Sequence, residues 1–144
     1  MTVVKKLKRL KSSRKTLIKQ MDLLASMWVR MRDKKLYGGL CPLCRPCRNT
    51  NPGPIECAFH WITRGKHILR WSEINLTASC WPCNAVFSGK WGGGNQATFW
   101  KWYQTTYGMD QFNELESMSH KIANFGIGDL MALKADIDAK LAGQ

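Results

Sequence analysis

Two cysteine pairs of identical gap, Cys41-Pro-Leu-Cys44 and Cys80-Trp-Pro-Cys83, constrain this chain more than any other feature. A two-residue gap lets both thiolates of a tight turn face one tetrahedral ion, and two such knuckles supply the four ligands of a closed structural zinc site. Thirty-five residues separate Cys44 from Cys80. That is more than a simple zinc ribbon needs, and it leaves room for a functional insertion. A competing register, Cys44-Arg-Pro-Cys47, has the same gap. The Cys41/Cys44 register is preferred because Gly38-Gly39-Leu40 leads into it and Pro42 follows the first ligand. Cys47 and Cys57 are then left as buried or reduced thiols, with a second metal role as the alternative. Six cysteines would also suit disulfides, but no apolar signal-peptide core follows the basic start, so a reduced, cytoplasmic setting is expected.

At 144 residues the chain fits one domain, or one domain with a helical extension, and its core is modest enough for a metal to help. No run of eighteen apolar residues offers a membrane span. The net charge of +12 is unevenly placed. Residues 1–48 hold fourteen of the twenty-two lysines and arginines against two acids, Asp22 and Asp33, whereas from Lys101 onward four lysines face six acids. Such a field suits a phosphate backbone, which releases condensed counterions when neutralised. The bland alternative is a solvated basic helix; an anionic membrane surface is weaker, since no lipidation motif accompanies the charge.

Residues 3–35 read as one long helix. Leu17, Met21, Leu24 and Trp28 fall on one stripe, Ser12 and Ser13 offer a break, and Tyr37-Gly38-Gly39 forms the end. Residues 38–58 read as turns and knuckles. Residues 59–71 look like two short strands joined by Thr63-Arg64-Gly65-Lys66. A short helix is expected from Trp81 to Ser88, ending at Gly89, and Trp91-Gly-Gly-Gly-Asn95 reads as a flexible connector. An aromatic-faced helix carrying Phe99, Trp102 and Tyr103 stops at Gly108, and another helix covers 110–123. Asp129 looks like the N-cap of a last helix with Leu130, Leu133, Ile137 and Leu141 on one face.

Between the knuckles lies His60-Trp-Ile-Thr-Arg64-Gly, then Arg70-Trp-Ser-Glu-Ile-Asn75, and the second knuckle continues as Cys-Trp-Pro-Cys-Asn84-Ala-Val-Phe-Ser-Gly89. In this order of His60, Asn75 and Asn84 the chain resembles the HNH, or His-Me finger, nucleases. It looks most like the phage NinG/Rap recombination endonucleases, and is also similar to phage Holliday-junction endonuclease VII. The resemblance covers about residues 40–116 and leaves the N-terminal basic helix outside. It implies a small α+β fold: a treble-clef, zinc-stapled ββα-metal core over 38–108, flanked by a basic helix over 1–37 and C-terminal helices over 109–144.

It also implies a metal-dependent DNA endonuclease acting on branched or recombination intermediates of a phage or mobile element. Hydrolysis of a phosphodiester needs an activated water, a cation on the phosphate and a proton for the leaving oxygen. His60 would take the proton from water. Asn84 would offer its amide oxygen to Mg²⁺ or Mn²⁺. Asn75 would brace the loop behind His60, and Arg64 and Arg70 would grip phosphate oxygens. Lys5, Lys6, Lys8, Arg9, Lys11, Arg14 and Lys15, continued by Lys34, Lys35, Arg45 and Arg48, would hold the flanking DNA without reading its sequence. Alternatively, the stripe on the basic helix would pair two copies into a homodimer, as the resemblance to endonuclease VII implies.

Each residue has a plainer reading: His60 as a core histidine, Asn75 as a turn residue, Asn84 as a helix cap, both arginines as surface charge. The chain departs from the family pattern at Phe59, where many of these nucleases carry an acidic or histidine metal ligand; Glu56 or Cys57 would have to substitute. Of the seven tryptophans, most are expected in the core, with one or two free to stack on unpaired bases. Two rival functions stay open: a non-catalytic zinc module that grips nucleic acid, and a homing-type endonuclease with a long recognition sequence.

Overall fold

In a computed structural model the structure describes residues 3–89 and 96–143, with side chains from residue 13 onward. These residues form seven helices and one two-stranded antiparallel sheet. The connector Trp91–Asn95 and the side chains of Lys5, Lys6, Lys8, Arg9 and Lys11 lie outside the described residues.

Helix α1 (Val3–Tyr37) is free of Gly and Pro and rich in Lys, Leu, Arg and Met, all good helix formers. It runs unbroken through Ser12 and Ser13, so these do not divide it. Gly38 and Gly39 end it with φ of +63° and +81°, and the N–H of Gly39 closes onto the Lys34 carbonyl at 3.1 Å. Helix α2 (Cys44–Arg48) is a short helix inside the segment expected to hold only turns.

Strand β1 (Cys57–His60) pairs with β2 (Leu76–Ser79) in a register that sets His60 opposite Leu76 and Phe59 opposite Thr77. The expected second strand around Ile68-Leu69-Arg70 is instead one helical turn, α3 (His67–Arg70), followed by a 3₁₀ turn at Glu73–Asn75. A short apolar run does not distinguish strand from helix. Here the helical turn sends Leu69 into one core and lets Trp71 enter the other. The true second strand, Leu-Thr-Ala-Ser, is fully buried because both faces are covered and its outer edge is closed by Arg32 and Asp33 of α1.

The hairpin divides the hydrophobic interior in two. On one side Phe59 and Trp61 meet Phe99 and Tyr103 of α5 (Gln96–Tyr107) and Leu115 of α6 (Met109–Ser119), among edge-to-face and stacked rings. On the other, Ala58, Leu76 and Ala78 pack on Met21, Ala25, Trp28 and Val29 of α1 and on Leu130 and Ile137 of α7 (Ile127–Ala142). The stripe on α1 therefore packs within the chain, with Met21 and Trp28 buried and Leu17 and Leu24 half-buried, and a second copy would have to meet the exposed Leu23, Met27 and Met31 instead. Asp129 sits at the third position of α7 rather than at its N-cap; Gly126 is the cap, and its N–H donates to Asp129 Oδ2 at 2.8 Å. Helix α6 stops at Ser119, short of the expected 123. Helix α4 (Trp81–Phe87) follows β2 directly and ends before Gly89, whose φ is +77°.

Candidate active site and metal centre

Cys41, Cys44, Cys80 and Cys83 come together with their sulfurs all within 4.8 Å of one another, and all four side chains are buried. Cys44 Sγ lies 3.4 Å from Cys80 Sγ and 3.7 Å from Cys83 Sγ. Four thiolates around one zinc at ~2.3 Å would stand about 3.8 Å apart, so this group could hold such an ion with little movement. Cys47 lies outside the group, which settles the register on Cys41 and Cys44. The Gly53 N–H points at Cys44 Sγ from 3.5 Å and an Arg48 N–H at Cys83 Sγ from 3.7 Å, donors of the kind that support thiolate ligands. The hydrogen bond from Cys83 draws the Cys41 thiol down to about 5, while burial pushes Cys80 up to about 12. A divalent cation at the centre of the group would stabilise all four as thiolates.

The cage fixes the two ends of the segment that carries the remaining chemistry. Cys80 follows β2 and is the N-cap residue of α4, and Glu56 Oε2 accepts the Trp81 N–H at 2.9 Å, so strand, knuckle and helix are joined at one corner. On the α1 side of the hairpin this opens a cleft of about 280 Å³, lined by His60 and Arg64, Asn84 and Trp81, and Asp22 and Ala25 from α1. His60 and Asn84, remote in sequence, thus share one cleft.

His60 Nε2 lies 3.1 Å from the Arg70 carbonyl oxygen. A carbonyl only accepts, so Nε2 carries the proton and the lone pair of the neutral ring resides on Nδ1. Burial, reinforced by the Arg64 cation, holds the imidazole down to about 4, so the ring is neutral at pH 7. Asn75 is fully buried and braces the loop behind it: Oδ1 accepts the Ile62 N–H at 2.7 Å, and Nδ2 donates to the carbonyls of Ile62 and Leu69, both at 3.0 Å. Asn84 makes no side-chain hydrogen bond among the described residues, which leaves its amide oxygen available to the cleft.

The arginines differ. Arg64 is exposed at the cleft and makes no ion pair or hydrogen bond among the described residues. Arg70 is instead held by Asp22 in a two-pronged bond, Nε to Oδ1 at 2.8 Å and Nη2 to Oδ2 at 2.6 Å, so its guanidinium is not free for phosphate. Trp71 Nε1 donates to the same Asp22 oxygen at 2.9 Å. Asp22 is the cleft residue that sequence reasoning missed, because nothing local to α1 marks it. Phe59 is fully buried in the aromatic core on the opposite face. Of the expected substitutes for it as a metal ligand, Glu56 is occupied at the start of α4, and Cys57 lines the cleft but points its thiol toward Ser79.

Among the expected DNA contacts, Lys15 and Arg45 are exposed. Arg14 donates to the Phe125 carbonyl and so ties α1 to the segment before α7. Arg48 turns toward the cysteine cage. Of the described tryptophans, Trp28, Trp61 and Trp71 are buried, while Trp81 is 48% exposed at the cleft. No helix in the described chain is long and apolar enough to cross a membrane. Compared with family models, with curated proteins and with solved structures, the chain matches none.

Proposed function

We propose that this chain is a metal-dependent DNA endonuclease of the HNH, or His-Me finger, type, with a zinc-stapled ββα core and His60 as its general base. The observation that carries the reading is the meeting of a neutral imidazole, an unengaged carboxamide and a free guanidinium in one cleft, with the imidazole's Nε2 already engaged. The order β1, β2, α4, with cysteine knuckles at both ends, is also what such a core requires.

In this reading a water in the cleft gives its proton to Nδ1 of His60 as it attacks the scissile phosphorus, the P–O bond to the departing oxygen breaks, and that oxygen takes a proton from solvent water. Arg64 places its charge on a phosphate oxygen and helps orient the strand. Asn75 keeps the segment between residues 62 and 69 folded back, so the imidazole does not swing with its loop. Asn84 would hold a Mg²⁺ or Mn²⁺ ion through its amide oxygen; a hard cation there lowers the charge on the phosphate and on the departing oxygen. With Phe59 turned away, the protein supplies few ligands of its own, and water and the phosphate would complete the shell. The phosphate-rich partner is DNA, drawn by the basic N-terminal third, and a branched or partly single-stranded substrate in a phage or mobile-element setting suits the resemblance best.

The thin ligand set favours one rival, a zinc-binding module that grips nucleic acid without cutting it. Incubation of the zinc-loaded protein with branched and linear DNA, with Mg²⁺ or Mn²⁺ added or withheld, separates the two. Metal-dependent cleavage is expected, stronger on branched DNA. Tight binding with intact DNA under every metal condition would establish the module instead, and cuts confined to one long sequence would point to a homing-type enzyme.

A further inference from the structure

The first helix, which lies outside the nuclease-like segment, contributes a side chain to the wall of the cleft, and that side chain is not idle. Asp22 holds both the Arg70 guanidinium and the Trp71 indole N–H. Arg70 and Trp71 are the last residue of α3 and the residue after it, where the backbone turns toward the 3₁₀ turn. The main-chain oxygen of Arg70 is the acceptor for His60 Nε2. A carboxylate on α1 therefore pins two consecutive side chains on either side of the peptide bond whose oxygen orients the imidazole.

We propose that Asp22 is a positioning residue: by clamping Arg70 and Trp71 it fixes the Arg70 carbonyl, and through it the tautomer and orientation of His60. The inference rests on the nuclease reading for its catalytic meaning, but the positional part stands on contacts alone. The clamp is well made for holding a direction. Two parallel N–H···O bonds fix the plane of the guanidinium against the plane of the carboxylate, and a lone ammonium would not. The Arg70 guanidinium also lies over the Trp71 ring, 5.5 Å from its centre, so the three side chains brace one another. The carbonyl then receives an N–H from an imidazole on a strand that is itself locked opposite Leu76.

The arrangement gives Arg70 a role other than phosphate contact. It also makes α1 part of the active site rather than only an arm for DNA.

The test uses the full-length, zinc-loaded protein and the variants Asp22→Ala, Asp22→Asn and Asp22→Glu. Nitrogen NMR of the ring reads the tautomer of His60 without reference to activity. In the wild type the Nε2–H form is expected alone; in Asp22→Ala the two neutral tautomers should both be populated. Cleavage is read beside it: kcat should fall about 10- to 100-fold in Asp22→Ala, with KM within about threefold, as expected when a base is misaligned but binding is kept. Asp22→Asn should be intermediate, and Asp22→Glu should recover part of the loss. Thermal melting of each variant identifies any that fail to fold; Asp22→Asn, nearly isosteric, then serves as the deciding variant. A folded variant lacking the carboxylate that keeps a single Nε2–H tautomer, or that keeps full kcat, would overturn the proposal. A wild type that never cleaves DNA but still loses its tautomer preference in Asp22→Ala would instead remove the nuclease reading and leave the clamp standing.

Discussion

The carboxylate of Asp33 accepts the main-chain N–H of Ala78 at 2.7 Å, so a helix side chain occupies the place that a third strand would take beside β2. Asp33 is 1% exposed and also binds Arg32, whose guanidinium reaches the Leu76 carbonyl at 2.9 Å. Together the two residues satisfy the Leu76 carbonyl and the Ala78 N–H on that edge, and so tie α1 to the sheet that carries His60. Removing the carboxylate in Asp33→Ala leaves the buried Ala78 N–H unpaired and a largely buried guanidinium without its counter-charge, which should cost about 3 kcal/mol. Urea unfolding checks this; a loss below about 1 kcal/mol would mean that water readily replaces the carboxylate.

The cysteine cage should hold one metal ion and the fold should depend on it. A strong chelator is expected to abolish the near-UV signal of the aromatic core, because Cys41, Cys44, Cys80 and Cys83 belong to the same buried cluster as Phe59, Trp61 and Tyr103. Cys41→Ser should fail to retain zinc, whereas Cys47→Ser, outside the group, should retain it fully. Metal analysis of the two purified variants distinguishes them.

His60 makes the fold sensitive to acid. Its folded value is about 4 against an ordinary 6.5, so the unfolded chain binds the proton first as pH falls. Its contribution is fully present above about 6.5 and is lost progressively down to about 4, with a ceiling of about 3 kcal/mol. Comparing wild type with His60→Asn by denaturant unfolding across that window isolates the effect, since acid loss from the zinc thiolates is common to both. Nitrogen NMR should find the ring still neutral at pH 5.5.

Asn75 carries three hydrogen bonds from a fully buried position. Asn75→Ala should cost about 3 kcal/mol, and Asn75→Asp should cost a similar amount, because a carboxylate cannot donate to the two carbonyls. Thermal and urea unfolding measure both. If either variant matches the wild type, the loop behind His60 has another brace.

What could be read from the chain alone follows from where the constraint lies. The knuckles were legible because ligand spacing is a local property of the backbone, and α1, α5 and α7 because long helices repeat their apolar positions. Strand β2 was not: Leu-Thr-Ala-Ser has little strand preference, and its burial comes from α1 on one side and the aromatic core on the other. The pairing of Arg70 with Asp22 is not legible, because a charge in sequence does not name its partner and the two lie forty-eight residues apart. Asn75 was legible as a brace only in the company of the neighbouring motif.

The most direct measurement is single-turnover cleavage by His60→Ala, with DNA binding and zinc content measured on the same sample. A loss of at least about 10²-fold in rate is expected, with binding and metal unchanged, since a positioned general base contributes on that order. A His60→Ala protein that binds DNA and cuts it at the wild-type rate would show that the imidazole in the cleft is not the base.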